Sequence, residues 1–169
     1  MKWGGEKIWS GEVAYVIGGG PSLKDFDWEM LRGKRTIGCN SAYKLGSDLC
    51  EVLFFGDVLW FERNKDDVLR NYKGRIFSSL PNIVASNHPR LWGLPRKKLG
   101  AGEQEIGWNG NSGFSAVNLA AIFGARKIYL LGFDMALGPN GENNYHNDTV
   151  FPEGNGCAVP GNRAHQSEP

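Results

Sequence analysis

Cysteine, histidine, long apolar runs and charge of one sign are all scarce in this chain of 169 residues, and each shortage excludes a class of protein. Cysteine occurs three times, at Cys39, Cys50 and Cys157, an odd number with no Cys-x-x-Cys pair. That excludes a disulfide-stapled scaffold and reads as reduced thiols of a cytoplasmic protein. The three histidines add no Cys/His set with zinc spacing, so no metal ligand set is expected. Nineteen Lys and Arg face 18 Asp and Glu, leaving +1. A polybasic nucleic-acid binder and a strongly acidic tail are therefore excluded, and no nucleic-acid partner is expected. No apolar run approaches the roughly 18 residues of a membrane span. The opening Met-Lys-Trp-Gly-Gly-Glu-Lys lacks the apolar core of a signal peptide. There is no internal repeat.

What is present is a folding chain with an excess of glycine. Hydrophobic residues make up 41%, with 12% aromatic, which excludes global disorder. A chain of this length forms one domain and buries roughly 70% of its unfolded surface. The 24 glycines are about twice the usual share of roughly 7%, so tight turns or close backbone approaches are required.

The glycines punctuate short apolar runs. Val13–Ile17 ends in Gly18-Gly19-Gly20. Thr36–Cys39 contains Gly38 and is followed by Asn40. Val52–Phe55 ends in Gly56-Asp57, and Lys127–Leu131 ends in Gly132-Phe133-Asp134. Such runs without polar alternation suit strands covered on both faces, as in a parallel sheet. Ile76-Phe77 and Ile83–Ala85 are further strand candidates, with one short strand near Glu105-Ile106 inside a long excursion over 87–113. Helices are expected over Phe26–Arg32, capped by Asp25, and over Ser112–Phe123, with Phe114, Val117, Ala120 and Ala121 on one stripe and Gly124 as terminator. Val58–Tyr72 is the longest helical candidate. Its polar middle, Glu62 to Asp67, leaves open a helix, a loop and a second helix.

Alternating strands and helices point to an α/β fold, a three-layer Rossmann-like domain with a mostly parallel central sheet. Residues 1–134 form the α/β domain. Of residues 135–169, 15 of 35 are Gly, Pro or Asn, and no periodic apolar pattern survives. This segment is expected to be a lid or tail of the same domain, or a homo-oligomer contact.

Ligands in such folds sit at the carboxyl ends of the strands, where the notable polar residues fall. Gly18, Gly19, Gly20, Pro21 and Ser22 run from a buried strand into a helical turn. Bare backbone there admits a ligand, and free N–H groups attract phosphate; a plain tight turn is the alternative. The spacing is neither the dinucleotide Gly-x-Gly-x-x-Gly nor a P-loop. Asn111, Ser112 and Gly113 open the clearest helix and form a second anion site or an ordinary cap. Asp57 and Asp134 directly follow strands and are candidates to hold Mg²⁺, orient a ribose, catalyse, or cap the next helix. Asn40 shares that edge, where its amide suits a base or sugar hydroxyl, with a local turn role as the alternative. His146 and His165 are candidate general bases near neutral pH, with simple exposure as the alternative. His88, before Pro89, reads as structural or exposed. The short basic cluster Arg96-Lys97-Lys98 reads as a solvated loop.

The ordered series Gly-Gly-Gly-Pro-Ser-Leu, Gly-Cys-Asn, a strand ending in Asp, Asn-Ser-Gly opening a helix, and Ile-Tyr-Leu-Leu-Gly-Phe-Asp resembles a superfamily of Rossmann-like transferases. It includes the bacterial family 42 sialyltransferases, the 6-hydroxymethylpterin diphosphokinase-like proteins, and small phage-encoded members. The resemblance spans Val13 to Asp134. It implies that Gly18 to Ser22, Asn40, Ser112 and Gly113 hold a nucleotide or nucleotide-sugar, and that the chain is a sialyltransferase-like glycosyltransferase. The alternatives are a non-catalytic nucleotide- or sugar-binding protein, and a pterin diphosphokinase-like enzyme using ATP and Mg²⁺. The chain departs from the sialyltransferases at Gly19, where they commonly carry Asn. It departs again beyond Asp134, where Tyr145 and His146 stand loosely for their lid tyrosines and general-base histidine.

Overall fold

The apolar, β-branched runs assemble into one sheet of six strands, parallel throughout. The computed structural model describes residues 3–85, 88–139, 141 and 144–145. In chain order the strands are β1 (Val13–Ile17), β2 (Arg35–Cys39), β3 (Val52–Phe55), β4 (Arg75–Ser78), β5 (Leu91–Gly93), β6 (Arg96–Lys97), β7 (Ile106–Gly107) and β8 (Lys127–Leu131). The helices are α1 (Val58–Asn71), α2 (Pro81–Ala85) and α3 (Ser112–Ile122), with single 3-10 turns at Pro21–Leu23, Trp28–Leu31 and Asn40–Leu45. The main sheet runs β5-β4-β3-β2-β1-β8, and β6 and β7 pair separately.

Alternating side chains explain three layers. Val16, Ile37, Phe54 and Phe77 pack with Ala116, Leu119 and Ala120 of α3 on one face. Leu53, Phe55 and Ile76 pack with Trp60, Phe61 and Val68 of α1 on the other, and Ile17 meets Leu23 and Leu31 there. Moving from β1 toward β5 the connections use one face. The return to β8 uses α3 on the opposite face, as right-handed crossovers require when the direction reverses. This is a Rossmann-like α/β fold, and its strand order reverses between β1 and β8.

Several local expectations are corrected. Ile83–Ala85 is helical, within α2, because Pro81 fixes φ at the first helical position and starts a turn. The helix α1 is unbroken: its polar middle is a largely solvent-facing surface on which Lys65 pairs with Glu62 at 2.7 Å and Asn64 donates to the Trp60 carbonyl. The Phe26–Arg32 helix shrinks to one 3-10 turn, capped by Asp27 rather than Asp25. In α3 the buried face carries Ser115, Ala116, Leu119 and Ile122, whereas Phe114 and Ala121 face solvent. The expected stripe is thus half met: Ala120 is fully buried and Val117 packs against the core, and a helix in which nearly every position is apolar or small gives little periodic signal to place the rest. The 87–113 excursion holds β5, β6 and β7, with β7 close to the expected Glu105-Ile106 strand.

The excursion is fixed by a buried amide that sequence reasoning passed over. Asn118 of α3 accepts from the Gly102 and Gly107 N–H groups at 3.0 and 2.8 Å and donates to the Gly102 carbonyl at 2.9 Å. Ser115 donates to the Gly107 carbonyl at 2.9 Å. These bonds set the loop that leads into α3.

Candidate functional site

The carboxyl ends of β1, β2 and β8 bring most of the predicted residues to one edge. Ile17 of β1 is level with Gly38 of β2 and with Leu131 of β8. Gly18–Gly20, Asn40 and Gly132–Asp134 therefore leave the sheet side by side. The start of α3 joins them, since the Cys39 thiol lies 3.7 Å from the Ser112 carbonyl.

At the reversal point the glycine loop is filled from within. The Asp134 carboxylate accepts from the Ser22 N–H at 2.7 Å and from the Ser22 hydroxyl at 2.6 Å. It takes the position beside the short Pro21–Leu23 turn that the sequence offered to a phosphate. A methyl group on Gly20 would lie 2.6 Å from that carboxylate, and one on Gly18 would lie 2.6 Å from the Gly132 carbonyl oxygen. The Phe133 ring is wedged between the two glycine-rich starts, 3.1 Å from a methyl group built on Gly18 and 2.7 Å from one on Gly113. Gly18, Gly20 and Gly113 are thus glycine because the chain's own 132–134 segment approaches them. Gly19 is different: a methyl there would meet only the Asn144 Cβ, at 3.8 Å.

A cleft of about 490 Å³ opens beside this loop, lined by Pro21, Ser22, Asp134, Leu137 and Tyr145 among others. Tyr145 covers the loop directly. Its N–H donates to the Gly19 carbonyl at 2.9 Å and its ring lies 5.3 Å from that of Trp28. Residues 144–145 therefore lie against the glycine loop. His146, His165 and Cys157, with all of residues 146–169, lie outside the described residues.

Asn40 stands apart from this packing. Its φ is +51°, a left-handed conformation that Asn tolerates better than most side chains. Its Oδ1 is buried without a hydrogen-bond partner among the described residues. An unsatisfied buried acceptor is uncommon in a native fold and calls for an explanation. Nearby, Asn111 caps α3 by accepting from the Phe114 N–H at 3.0 Å. A helix start leaves four donors without intrahelical partners, and the Ser112 and Gly113 N–H groups have no partner among the described residues.

Asp57 caps α1, accepting from the Trp60 N–H at 2.9 Å. It leaves the sheet after β3, while Asp134 follows β8. Three strand spacings, about 14 Å, separate those exits, so the two carboxylates do not meet at one Mg²⁺. Among the described residues no group of three His, Cys, Asp or Glu is placed to hold a metal ion.

The same edge carries a cluster missed in the sequence. The Arg96 guanidinium donates from Nε to the Ser79 hydroxyl at 3.2 Å and from Nη2 to the Gly56 carbonyl at 2.9 Å. It lies 4.1 Å over the Trp108 ring, which in turn packs on the Gly56 backbone. The expectation of a solvated basic loop holds for the exposed Lys97 and Lys98 but not for Arg96. Only the separation of Arg96 from Trp108, twelve residues on, hid the pair. His88 serves its own turn, accepting at Nδ1 from the Arg90 N–H at 3.2 Å.

Among the described residues no helix is long and apolar enough to cross a membrane. Compared with protein-family models, with curated proteins and with solved structures, the chain matches none.

Proposed function

We propose that this chain binds a nucleotide, as the sugar-activating part of a donor, at the carboxyl edge of β1 and β2, and acts as a glycosyltransferase of the sialyltransferase-like kind its motifs resemble. The observation that carries the reading is Asn40. A left-handed residue whose buried oxygen has no partner among the described residues stands at the strand ends, next in sequence to Cys39, whose thiol reaches the first residue of α3. A ribose hydroxyl or base amine satisfies Oδ1, and the Ser112 and Gly113 N–H groups donate to a phosphate oxygen. The cytoplasm is the proposed location. The Cys39 and Cys50 thiols are free, and burial pushes them up to about 12 and about 11, which suits inert reduced side chains.

A second reading, a binding protein without catalysis, is favoured by the engagement of both carboxylates. Asp134 is held by Ser22 and Asp57 by α1, so neither is free for acid–base work in this conformation. Nothing brings Asp57 and Asp134 together for the Mg²⁺-dependent diphosphoryl transfer considered above.

Asn40→Gly is the cleanest test. Glycine adopts the left-handed backbone freely, so the variant keeps the fold while deleting the amide. Asn40→Ala, by contrast, costs about 1 kcal/mol of stability from the positive φ alone. Calorimetry with CMP, UMP, ATP and GDP, with and without Mg²⁺, identifies the ligand. The Gly variant should then bind it about 5- to 150-fold more weakly, the equivalent of about 1–3 kcal/mol. Unchanged affinity would remove Asn40 from the site, and no binding by any nucleotide would remove the transferase reading.

A further inference from the structure

Arg96 differs from Arg32 and Arg35, which meet carboxylates, and from Arg90, whose two carbonyl partners lie at the negative end of a helix. Arg32 pairs with Glu29 at 2.7 Å, and Arg35 with Glu12 at 2.9 Å and Glu51 at 3.4 Å. Arg90 donates to the carbonyls of Leu69 and Tyr72 at the end of α1. Arg96 is half-buried and has no carboxylate partner among the described residues. Its two bonds go to neutral oxygens, and its Nη1 has no partner among the described residues. Burial holds its pKa below the usual arginine value, with no opposing carboxylate. The side chain is also locked in place: the Trp108 face lies below it, Ser79 and Gly56 hold two nitrogens, and Ser79 is fully buried. A cation taken partly out of water is costly unless an opposite charge meets it.

Its position gives the chemistry a direction. Gly56 follows β3 and Ser79 follows β4, so the guanidinium bridges the carboxyl ends of two neighbouring strands, the edge on which open α/β sheets bind ligands. The adjacent Asp57 carboxylate is turned to the α1 N-terminus and accepts from Trp60. A planar guanidinium presenting a free N–H pair matches the oxygens of a phosphate or carboxylate.

We propose that Arg96, backed by Trp108, is the receptor for an oxyanion group, a phosphate or a carboxylate, carried by a small-molecule ligand over β3 and β4. The proposal does not depend on a nucleotide binding at Asn40.

The test is a titration of the full chain with inorganic phosphate and, in parallel, with acetate, at constant ionic strength against chloride. The readout is the indole N–H resonance of Trp108, assigned with Trp108→Phe. At least one anion should move that resonance saturably. Arg96→Lys, which keeps the charge and loses the fork, should weaken the effect about tenfold. Arg96→Gln should abolish it. A preference for phosphate assigns a phosphoryl-bearing ligand, and a preference for acetate a carboxylate-bearing one. The proposal is overturned if neither anion moves the resonance, or if Arg96→Gln responds like the wild type. Should Arg96→Gln fail to fold, Arg96→Lys decides: unchanged anion affinity there would leave Arg96 a strut between two loops.

Discussion

Two ends of one sheet edge solve opposite electrostatic problems. Beside β1 and β8 a carboxylate, Asp134, is met by the neutral N–H and O–H of Ser22, and close-packed glycines leave little space between them. Beside β3 and β4 a guanidinium, Arg96, is met by neutral oxygens and an indole face. At the first end the chain supplies its own anion, so the glycine loop is closed to an external one in this conformation. At the second the chain supplies a cation and no anion. A glycine-rich turn after a strand therefore does not by itself mark a ligand seat. What distinguishes a seat is whether the neighbouring segment already fills it.

The sharpest way to break this contrast is inside the first loop. Gly18→Ala places a methyl against the Gly132 carbonyl and the Phe133 ring, and should cost about 3 kcal/mol. Gly19→Ala meets only ordinary contact and should stay within about 0.5 kcal/mol. Urea unfolding of both variants measures the difference. Equal losses would mean that the loop glycines answer to something other than the 132–134 segment. Asp134→Ala should cost about 2 kcal/mol by removing two hydrogen bonds. The emptied position should also accept phosphate, so phosphate should raise the melting temperature of this variant more than that of the wild type. A variant as stable as the parent would return Asp134 to the list of catalytic candidates.

A smaller effect supplies a reference away from that edge, on α1. The Tyr43 hydroxyl, with the Asn71 amide, holds the Asp67 carboxyl below the usual carboxylate range. A depressed folded pKa contributes stability that is complete above the unfolded value, about 3.9, and is lost as pH falls through the folded pKa. Melting curves from pH 5 downward should therefore fall more steeply for the wild type than for Asp67→Asn. Parallel curves would show that the Tyr43 bond contributes nothing to folding.

The strands Val13–Ile17 and Val52–Phe55 were legible because a parallel sheet buries both faces of its inner strands. The Ile128–Leu131 run gave the strand but not its setting, since β8 lies at the sheet's edge with Tyr129 and Leu130 exposed, against the expectation of cover on both faces. The cap at Asp57 and the start of α3 were legible because capping is local chemistry. The role of Gly18, Gly20 and Gly113 was not, since the atoms that demand glycine come from Phe133 and its neighbours, distant in the chain except for α3. Arg96 was hidden for the same reason: its partners Gly56 and Ser79 are 40 and 17 residues away. Asn118 looked like one more helix residue, and only the backbone of 102–107 reveals its use. The stripe of α3 was only half legible, Val117 and Ala120 but not Phe114 and Ala121, because nearly every position is apolar or small, which leaves the core free to select any face.

The pairing of β1 with β8 also sets an order of events in time. Val13 and Lys127 are partners across more than a hundred residues, so closing that ladder is the most entropically demanding step in forming the sheet. Strands β1 to β5 each find a parallel neighbour within the stretch that emerges first during synthesis. The β1–β8 ladder waits until Leu131 has left the ribosome. Until then the outer edge of β1 is an unpaired row of amides and carbonyls, and the glycine loop has neither Phe133 nor Asp134 to lean on. A nascent chain of this protein is thus most open to mispairing at a strand that the finished sheet pairs on both sides.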